Sequence, residues 1–469
     1  MTRTDFRDLS TGYKILTVAE LGVYFCALLL AVQANNWLEL SDRISLDSNI
    51  QAIYGIIFSL LTLLTSLSLG LYNPRTRETL RSVLRRIAIA TTLGCVEFSV
   101  LVALFVSPTP FGFEVIATAA IAGFLMAGTL RYMTARFDML VLNKVRVLIL
   151  GAGERASIVE KRMRRKVDRH GFELFGLVSM PGDAPDYFKR ERIFNIEKGA
   201  LLSFVLENQI NEIVVACDER RNNLPVDELF ACKIRGTNIV DILDFIERET
   251  GQIAVNLIYP SWVIYSNGFA SSHYLRNALD WIFNATMAAI VLFFCWPLML
   301  ITAIAIKLDD GFGAPIFYFQ ERVGLDGRTF RIIKFRSMRT DAESGSAVWA
   351  SINDDRTTRI GGFIRKYRLD ELPQIYNVLK GDMGFVGPRP ERPEFVQDLI
   401  RSIPYYNERH NVKPGLTGWA QLKYPYGSTE EDAAEKLKYD LYYLKHRSFL
   451  LDIKILVRTV EIVLFGKGR

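Results

Sequence analysis

The sequence predicts a membrane protein in three parts: an α-helical bundle of four transmembrane spans, an α/β Rossmann-like cytosolic domain, and a second α/β domain with a re-entrant, Pro-broken membrane helix. Three observations predict this. Four apolar spans come first, a strand then runs into a glycine turn at Val145–Gly153, and a later apolar span contains Pro297. The 469 residues suffice for several domains, and 50% hydrophobic with 23% charged residues suits soluble domains joined to membrane segments.

Residues 1–140 are predicted to form the membrane bundle. Each span has roughly twenty residues, enough to cross a bilayer; the spans lie near Ile15–Gln33, Ile53–Leu71, Ile87–Val106 and Phe113–Leu130. The connection between the second and third spans holds five arginines, Arg75, Arg77, Arg81, Arg85 and Arg86. The loops after the first and third spans, near Asn36–Ser48 and Ser107–Gly112, hold one arginine between them. By the positive-inside rule, both ends of the bundle should face the cytoplasm.

Residues 141–265 are predicted to form the Rossmann-like domain. Further strands are expected near Phe172–Met180, Glu212–Ala216 and Asn238–Asp241, with a helix near Ile196–Asn208. The Gly-x-Gly-x-x-Ala pattern starting at Gly151 is a weak signal, since a tight turn that packs a helix on a strand explains it at least as well as nucleotide binding. Asp183 is the candidate ribose acid but falls in a Pro-Gly turn, so no nucleotide cofactor is assigned.

Residues 266–469 begin with an apolar span at about 281–306 that Pro297 interrupts. Arg276 precedes this span and Lys307 follows it. Basic residues at both ends suit a helix that breaks at Trp296-Pro297 and returns to the leaflet it entered, although a plain crossing with a proline kink is the commoner outcome. The last segment, Phe449–Phe465, has the pattern of an interfacial amphipathic helix, and a core helix explains it nearly as well.

Composition excludes several kinds of site. The five cysteines and four histidines show no metal-ligand spacing, so neither a disulfide framework nor a zinc site is predicted. The net charge is +6, and arginine clusters adjoin apolar spans. This pattern favours contact with anionic membrane lipid, and no nucleic acid partner is predicted.

Side chains suited to phosphate concentrate between Lys334 and Arg389. Asp370 and Glu371 precede an apolar stripe at helical spacing, which ends at a predicted Gly381 C-cap and comprises Leu372, Ile375, Tyr376 and Leu379. Pro373 is tolerated only in a first turn, so the two acids belong at a helix N-terminus. There the macrodipole favours a carboxylate, and free N–H groups can hold a phosphate oxygen.

A carboxylate that attacks a diphosphate needs cations, and this stretch supplies Lys334, Arg336, Arg365 and Arg389. Each feature alone has an ordinary explanation, because an Asp-Glu pair is usually a helix cap and Lys-Phe-Arg-Ser-Met suits an ordinary strand. Their conjunction in one segment favours a phosphate site, with a divalent metal expected beside the acids.

These motifs, in this order, resemble those of the bacterial polyprenyl-phosphate hexose-1-phosphate transferases, which are large monotopic phosphoglycosyl transferases. The matching segments are Pro315–Gly324, Phe330–Met338, Asp370–Gln374, Asn377–Met383, Val386–Pro390 and Lys413–Gln421. Gly384 stands where many members carry Ser, and Arg368 stands where Ser or Thr is common. Neither departure is expected to touch a charge that the chemistry requires.

The resemblance implies a two-step transfer in a monotopic catalytic domain. Asp370 would attack the sugar-attached phosphate of a UDP-sugar, release UMP and carry the phosphosugar until undecaprenyl phosphate accepts it. Glu371 would assist with Mg²⁺ and proton handling, and Asp370 would lie beside the same ion. Lys334 would line the catalytic site, while Arg336, Arg365 and Arg389 would hold phosphate groups.

Because UDP-sugars are cytosolic, the re-entrant helix is preferred over a straight crossing. The expected place is the bacterial inner (cytoplasmic) membrane, with the soluble and catalytic domains facing the cytoplasm, and the expected role is the first membrane step of exopolysaccharide, capsule or related glycan assembly. UDP-glucose is expected from family frequency alone; sugar contacts are predicted in Lys413–Ser428 or Ser346–Asp355. Homodimerisation through the Rossmann-like domain or the bundle is a further expectation.

Two other functions fit parts of the sequence. A membrane-anchored nucleotide-sugar dehydratase or epimerase would need Tyr-x-x-x-Lys in the Rossmann-like domain, but the only such spacing is Tyr376 with Lys380, beyond the Pro-broken helix. A non-catalytic scaffold for polysaccharide assembly would not need the acids and cations together. The transferase is therefore preferred.

Overall fold

The computed structural model describes residues 11–38, 46–72, 80–106, 109–136, 145–162, 172–183, 193–219, 223–258, 262, 266, 268–269, 274–311, 313–339, 356–424, 427 and 429–464. The predicted sugar contacts in Ser346–Asp355 lie outside the described residues. The chain divides into two compact units, Thr2–Phe245 and Ile246–Arg469.

The N-terminal unit begins with four long helices that coincide with the four predicted apolar spans: α1 (Thr11–Leu38), α2 (Ser48–Ser68), α3 (Leu80–Phe105) and α4 (Phe113–Arg136). Each contains a stretch long and apolar enough to cross a membrane. Buried charges join the helices, because Glu20 of α1 pairs with Arg131 of α4 and accepts a hydrogen bond from Tyr72. Charged side chains in membrane bundles characteristically face the interior in this way.

An alternating α/β segment with a parallel sheet follows, as predicted, and the sheet has five strands where four were predicted. Its strands are β1 (Val145–Leu150), β2 (Phe172–Val178), β3 (Ile193–Phe194), β4 (Glu212–Val215) and β5 (Asn238–Asp241), in the order β3-β2-β1-β4-β5. The helices are α5 (Glu154–Arg162), α6 (Leu201–Glu207), α7 (Val226–Ile234) and α8 (Ile242–Thr250). Strand β3 was not predicted, since two residues are too few to show an alternating pattern.

The C-terminal unit contains one long apolar helix, α9 (Tyr274–Asp310). Pro297 lies inside α9, and no non-helical residue separates the two halves at the predicted break. Both halves pack against the same unit: Ala288 belongs to a buried cluster with Ile375 and Phe385, and Ile306 belongs to another with Phe335 and Ile364. The predicted return of this helix to one leaflet stays a prediction.

Two small sheets and short helices form the rest of this unit. Strands β6 (Phe317–Val323) and β7 (Thr329–Phe335) make an antiparallel hairpin, and β8 (Gly384–Val386) pairs in parallel with β9 (Gly415–Thr417). The helices are α10 (Arg359–Lys366), α11 (Ile375–Lys380), α12 (Pro393–Ser402), α13 (Trp419–Lys423), α14 (Glu430–His446) and α15 (Phe449–Leu464). The described part of the unit also contains 3-10 helices at Val255–Leu257, Leu325–Gly327, Leu369–Gln374 and Tyr406–Asn411.

Helix α15 behaves in part as a core helix, which was one of the two predicted alternatives. Asp452 is buried and accepts a hydrogen bond from Tyr443 at 2.8 Å, and Ile455 is fully buried. At the start of the helix, Phe449 and Leu450 are more than half exposed. The helix therefore packs on the unit along one face and presents apolar side chains at its first turn.

Candidate active site

The two acidic residues lie in the 3-10 helix Leu369–Gln374, which leads directly into α11. Arg368, just before them, has a left-handed φ of 59°. This conformation is uncommon for a residue with a side chain, so the surrounding contacts must hold the turn in place. The acids do stand at the start of a helical segment, as predicted.

The helix below the acids matches its prediction in part. Gly381 is the C-cap, with a φ of 90° that favours glycine. Ile375 is buried, but Tyr376 is 60% exposed and Leu379 is 38% exposed, so the predicted apolar stripe is partly wrong. The fully buried side chains of α11 that face the core are Ile375 and Val378, packed against α9.

Glu371 is held by cations. Its Oε1 lies 2.8 Å from Arg389 Nη2, 3.3 Å from Lys334 Nζ and 3.6 Å from Arg368 Nη1. Burial opposes ionisation, but the positive charges of Arg389, Lys334 and Arg368 outweigh it and hold the pKa of Glu371 well below its usual range. Glu371 is therefore ionised at neutral pH.

Asp370 has the opposite environment. It is 8% exposed, and its buried Oδ1 accepts no hydrogen bond from any described residue. Burial raises the pKa of Asp370, the negative charge of Glu371 adds to the rise, and Lys334 opposes it. Two adjacent carboxyl groups whose pKa values are pushed apart are typical of sites with divided chemical roles.

Lys334 reaches the acids from β7, whose position Asn377 fixes. The Asn377 side chain accepts from Ile333 N at 3.1 Å and donates to Arg331 O at 2.8 Å, so it bonds to the edge of β7 as a neighbouring strand would. Asn377 is almost fully buried. Burial lowers the pKa of Lys334, and Glu371 opposes this effect.

The other two predicted phosphate-binding residues are not in contact with the acids. Arg336 lies 2.5 Å from Asp310, the last residue of α9, and is 6% exposed. Arg365 lies in the last turn of α10, and its buried Nη1 has no hydrogen-bond partner among the described residues. A buried guanidinium nitrogen without a partner is the kind of donor that a phosphate oxygen can satisfy.

Arg368 corrects an expectation. We expected this departure from the family pattern to touch no charge that matters, yet Arg368 is a third cation on Glu371. Its side chain is 42% exposed, so solvent screens the contact and it should contribute less than Arg389. The sequence signal was present, since Arg368 lies three residues before Glu371, but the left-handed turn that brings them together was not predictable from spacing.

The glycine turn of the parallel sheet already holds carboxylates. Asp218 accepts from Glu154 N at 2.8 Å and Arg155 N at 2.9 Å, at the start of α5. Asp183, the candidate ribose acid, accepts from Ala152 N at 2.7 Å. A Cβ on Gly153 would meet Asp218 Oδ2 at 1.9 Å, so this glycine makes room for a side chain of the protein itself.

The spacing that would suit a dehydratase does not form a dyad. Tyr376 is 60% exposed, and Lys380 pairs with Asp382 at 3.0 Å. The pair lies on α11 beneath the acids, outside the parallel sheet. Its geometry is that of two surface residues on one short helix.

Comparison with known proteins agrees with the geometry. Residues 275–466 match the bacterial sugar transferase family. A UDP-glucose:undecaprenyl-phosphate glucose-1-phosphate transferase of Klebsiella pneumoniae is 30% identical over 353 residues, which cover 73% of each chain. The chain belongs to the bacterial sugar transferase family. The predicted resemblance is therefore confirmed.

Other members of the family differ in the sugar that their names give. A UDP-N-acetylgalactosamine-undecaprenyl-phosphate N-acetylgalactosaminephosphotransferase of Aeromonas hydrophila is 39% identical over 240 residues, 51% of this chain and 55% of that protein. An undecaprenyl-phosphate glucose phosphotransferase of Komagataeibacter xylinus is 31% identical over 345 residues, 69% of this chain and 60% of that protein. The alignments thus span little more than half the length of these two relatives.

Proposed function

We propose that this bacterial sugar transferase moves a hexose-1-phosphate from a UDP-sugar to undecaprenyl phosphate, with release of UMP. The observation that carries the proposal is the pair of buried carboxyl groups, one with an oxygen that lacks a partner and one held by three cations. A scaffold would have no use for this arrangement, and three relatives are named as enzymes of this kind.

In the proposed first step, a carboxylate oxygen of Asp370 bonds to the sugar-attached phosphorus. The bond from that phosphorus to the UMP oxygen breaks, and UMP leaves with the electron pair. In the second step, a phosphate oxygen of undecaprenyl phosphate bonds to the same phosphorus, and the Asp370 carboxylate leaves. Lys334 and Arg389 would stabilise negative charge on the transferring phosphoryl group, in a buried site where such contacts are strong.

The side chains present fit a divalent cation. Asp370 has a buried carboxylate oxygen without a partner, and Mg²⁺ commonly takes one or two carboxylates together with substrate phosphates. Asp370 and Glu371 would hold Mg²⁺ with the diphosphate. When bound, the ion would neutralise charge on the transferring phosphoryl group. Arg365, with its buried unpartnered Nη1, would hold a phosphate oxygen directly, and Arg336 would do so at the edge of the site.

Glucose remains the proposed sugar. Two of the relatives described above carry glucose in their names and one carries N-acetylgalactosamine. The segment Lys413–Ser428 is proposed to contact the sugar, because Gly415 N donates to Pro388 O and Thr417 O accepts from Gly387 N, next to Arg389. The product would start exopolysaccharide, capsule or related glycan assembly.

The proposed placement is the bacterial inner membrane, with four crossings and the parallel α/β sheet and catalytic domain in the cytoplasm. The sheet order supports a Rossmann-like domain within residues 141–265, and residues 266–469 would form the monotopic catalytic domain. The arginines between the second and third spans support this orientation. The first part, residues 1–140, would carry the crossings, and a homodimer would form through the bundle or the Rossmann-like domain.

The test is nucleotide release by the purified, lipid-supplied protein, with and without Mg²⁺ and undecaprenyl phosphate. We expect UMP, and trapping of a phosphosugar on Asp370 that mass spectrometry of tryptic peptides can locate. Asp370→Asn should lower turnover by more than about 10³-fold, because the nucleophile is lost. The matched control is Asp398→Asn, an exposed carboxylate on α12, which should keep full activity. Release of UDP, or an active Asp370→Asn variant, would contradict the proposal.

A further inference from the structure

The loop Pro388–Glu391, which carries Arg389, is held in place by hydrogen bonds from residues elsewhere in the unit. Two of its four residues are prolines, which have no N–H to donate. Each of its four carbonyl oxygens accepts a hydrogen bond from a group elsewhere in the unit: in chain order, from Gly415 N at 2.9 Å, Arg409 Nη2 at 2.9 Å, Arg322 Nη1 at 3.1 Å and Val323 N at 2.9 Å. The position of the loop therefore depends on these four donors.

The donor to the Arg389 carbonyl is the most deeply buried of the side chains involved. Arg409 is 6% exposed and its Nη2 also lies 2.9 Å from Asp440, which is 2% exposed. A second nitrogen, Nη1, donates to the Tyr406 hydroxyl at 2.7 Å. The planar guanidinium is thus held at both terminal nitrogens, and its orientation toward the Arg389 carbonyl follows from these contacts.

We propose that Arg409, held by Asp440, is a positioning residue that fixes the backbone of Arg389 and so directs the Arg389 guanidinium to Glu371. Arg389 Nη2 lies 2.8 Å from Glu371 Oε1, a distance that a small shift of the loop would lengthen. The catalytic consequence rests on the proposed function, whereas the structural consequence does not. Among the described residues, the cations on Glu371 are Lys334, Arg368 and Arg389, so an effect of Arg409 on this carboxylate would pass through Arg389.

A double-mutant cycle tests the catalytic consequence. Arg409→Met should lower kcat/KM for the UDP-sugar roughly 10- to 100-fold, as expected when a charged group is displaced by about an ångström. In an Arg389→Ala background, the same change should lower it little further, because the group that Arg409 positions is already gone. A purely structural role predicts the same loss in both backgrounds. If the Arg409→Met variant fails to fold, the double variant Arg409→Met/Asp440→Asn replaces it in the cycle, because the double variant leaves no unpaired buried charge.

Hydrogen exchange tests the structural consequence without any substrate. The Val323 and Gly415 amides bond to the loop, so both should exchange faster in the Arg409 variants. The Ile333 amide bonds to Asn377 instead and should be unchanged. Faster exchange with no UMP release from the wild type would reject the proposed function and keep the positioning role. Unchanged exchange, or equal losses of activity in both Arg389 backgrounds, would overturn the positioning role.

Discussion

Asp370 and Glu371 are neighbours in the chain, but their surroundings differ in kind. Glu371 points into a group of cations, and its negative charge is stabilised strongly enough to overcome burial. Asp370 is buried beside that same negative charge and lacks a partner for one oxygen. The pair therefore divides into a permanent anion and a group whose charge the site can change. This division is what a nucleophile beside a charge-holding partner requires.

At the same scale, His410 should make the stability of the protein sensitive to acid. Burial and the positive charge of Arg409 lower the pKa of His410 to about 4, whereas an unfolded histidine titrates near 6.5. Because the folded state disfavours the charged ring, stability is fully present above pH 6.5 and is lost as pH falls toward 4. The loss from this residue has an upper limit of about 3 kcal/mol.

Thermal unfolding of wild type and His410→Phe, measured in detergent from pH 8 to pH 4.5, checks this prediction. The phenyl ring keeps the edge contact that His410 makes with Tyr406 and cannot be protonated. Above pH 7 the difference between the two unfolding temperatures should be constant. Below pH 6.5 the wild type should fall more steeply. Parallel curves over the whole range would show that His410 does not titrate in this way.

The residues of the site were more predictable than their contacts. Lys334, Arg389 and the two acids were identified from their types and order, and they do converge. Arg409 and Asp440 were missed because an Arg and an Asp far apart in sequence carry no signal until the fold places them 2.9 Å apart. Arg336 was named as a phosphate ligand from its position in Lys-Phe-Arg-Ser-Met, and its contact with Asp310 of α9 was not visible in that motif.

At the scale of elements, the length and contacts of α9 bear on whether this helix crosses the membrane or returns to the side it entered from. A straight helix of 37 residues would be about 55 Å long, which exceeds the thickness of a bilayer core. Near its start Asp280 pairs with Arg447 at 2.5 Å, and at its end Asp309 accepts from Ile360 N at 3.0 Å. Both partners belong to the same unit, while Phe293 and Phe294 between them are more than 70% exposed. A helix that enters the membrane and returns would satisfy all of these contacts.

Cysteine accessibility tests the return of α9 in intact membranes. In a cysteine-free background, Leu279→Cys and Leu308→Cys, both exposed near opposite ends of the helix, should react with a membrane-impermeant maleimide from the same side. Phe294→Cys, in the apolar middle, should be protected from the reagent. Asp398→Cys on α12 marks the side of the catalytic unit. Labelling of the two ends from opposite sides would establish a plain crossing.

Long elements were predictable from the sequence, whereas short elements that depend on tertiary contacts were not. The four apolar spans and the longer parallel strands gave clear periodic or continuous apolar signals. The 3-10 helix that carries the acids did not, because a short turn between α10 and α11 depends on the left-handed Arg368 and on tertiary contacts. The same holds for β3, whose two residues are strand only because they pair with β2.

At the scale of the whole molecule, the compact C-terminal unit begins earlier than the predicted catalytic domain. That unit starts at Ile246, whereas the predicted domain starts at residue 266. The intervening segment bonds to the unit: Glu247 pairs with Lys445 at 2.8 Å, Trp419 Nε1 donates to Gly251 O at 2.9 Å, and Ile253 N donates to Lys438 O at 3.0 Å. Glu247 and Lys445 are both nearly fully buried, so removing either one would leave an unpaired buried charge and destabilise the unit strongly.

These contacts predict different outcomes for two fragments. A fragment of residues 242–469 keeps all three contacts and every residue of the candidate site, so it should unfold cooperatively and release UMP from the UDP-sugar. A fragment of residues 266–469 keeps the same site but lacks these three hydrogen bonds, one of them between charged groups, together with those between Glu247 and His446 and between Gln252 and Tyr439. Each is worth about 1 kcal/mol or more, so this fragment should be less stable by several kcal/mol and lose activity at lower temperature.

Unfolding temperatures and UMP release, measured in the same detergent, compare the two fragments. Glu247→Gln in the full-length chain is the matched control, because it removes the charge that pairs with Lys445 and keeps the backbone contacts. If the segment acts through these contacts, this variant should lie between the full chain and the shorter fragment in stability. If both fragments unfold at the same temperature, residues 246–265 contribute nothing to the catalytic unit, and the domain is bounded at residue 266 as its sequence suggested.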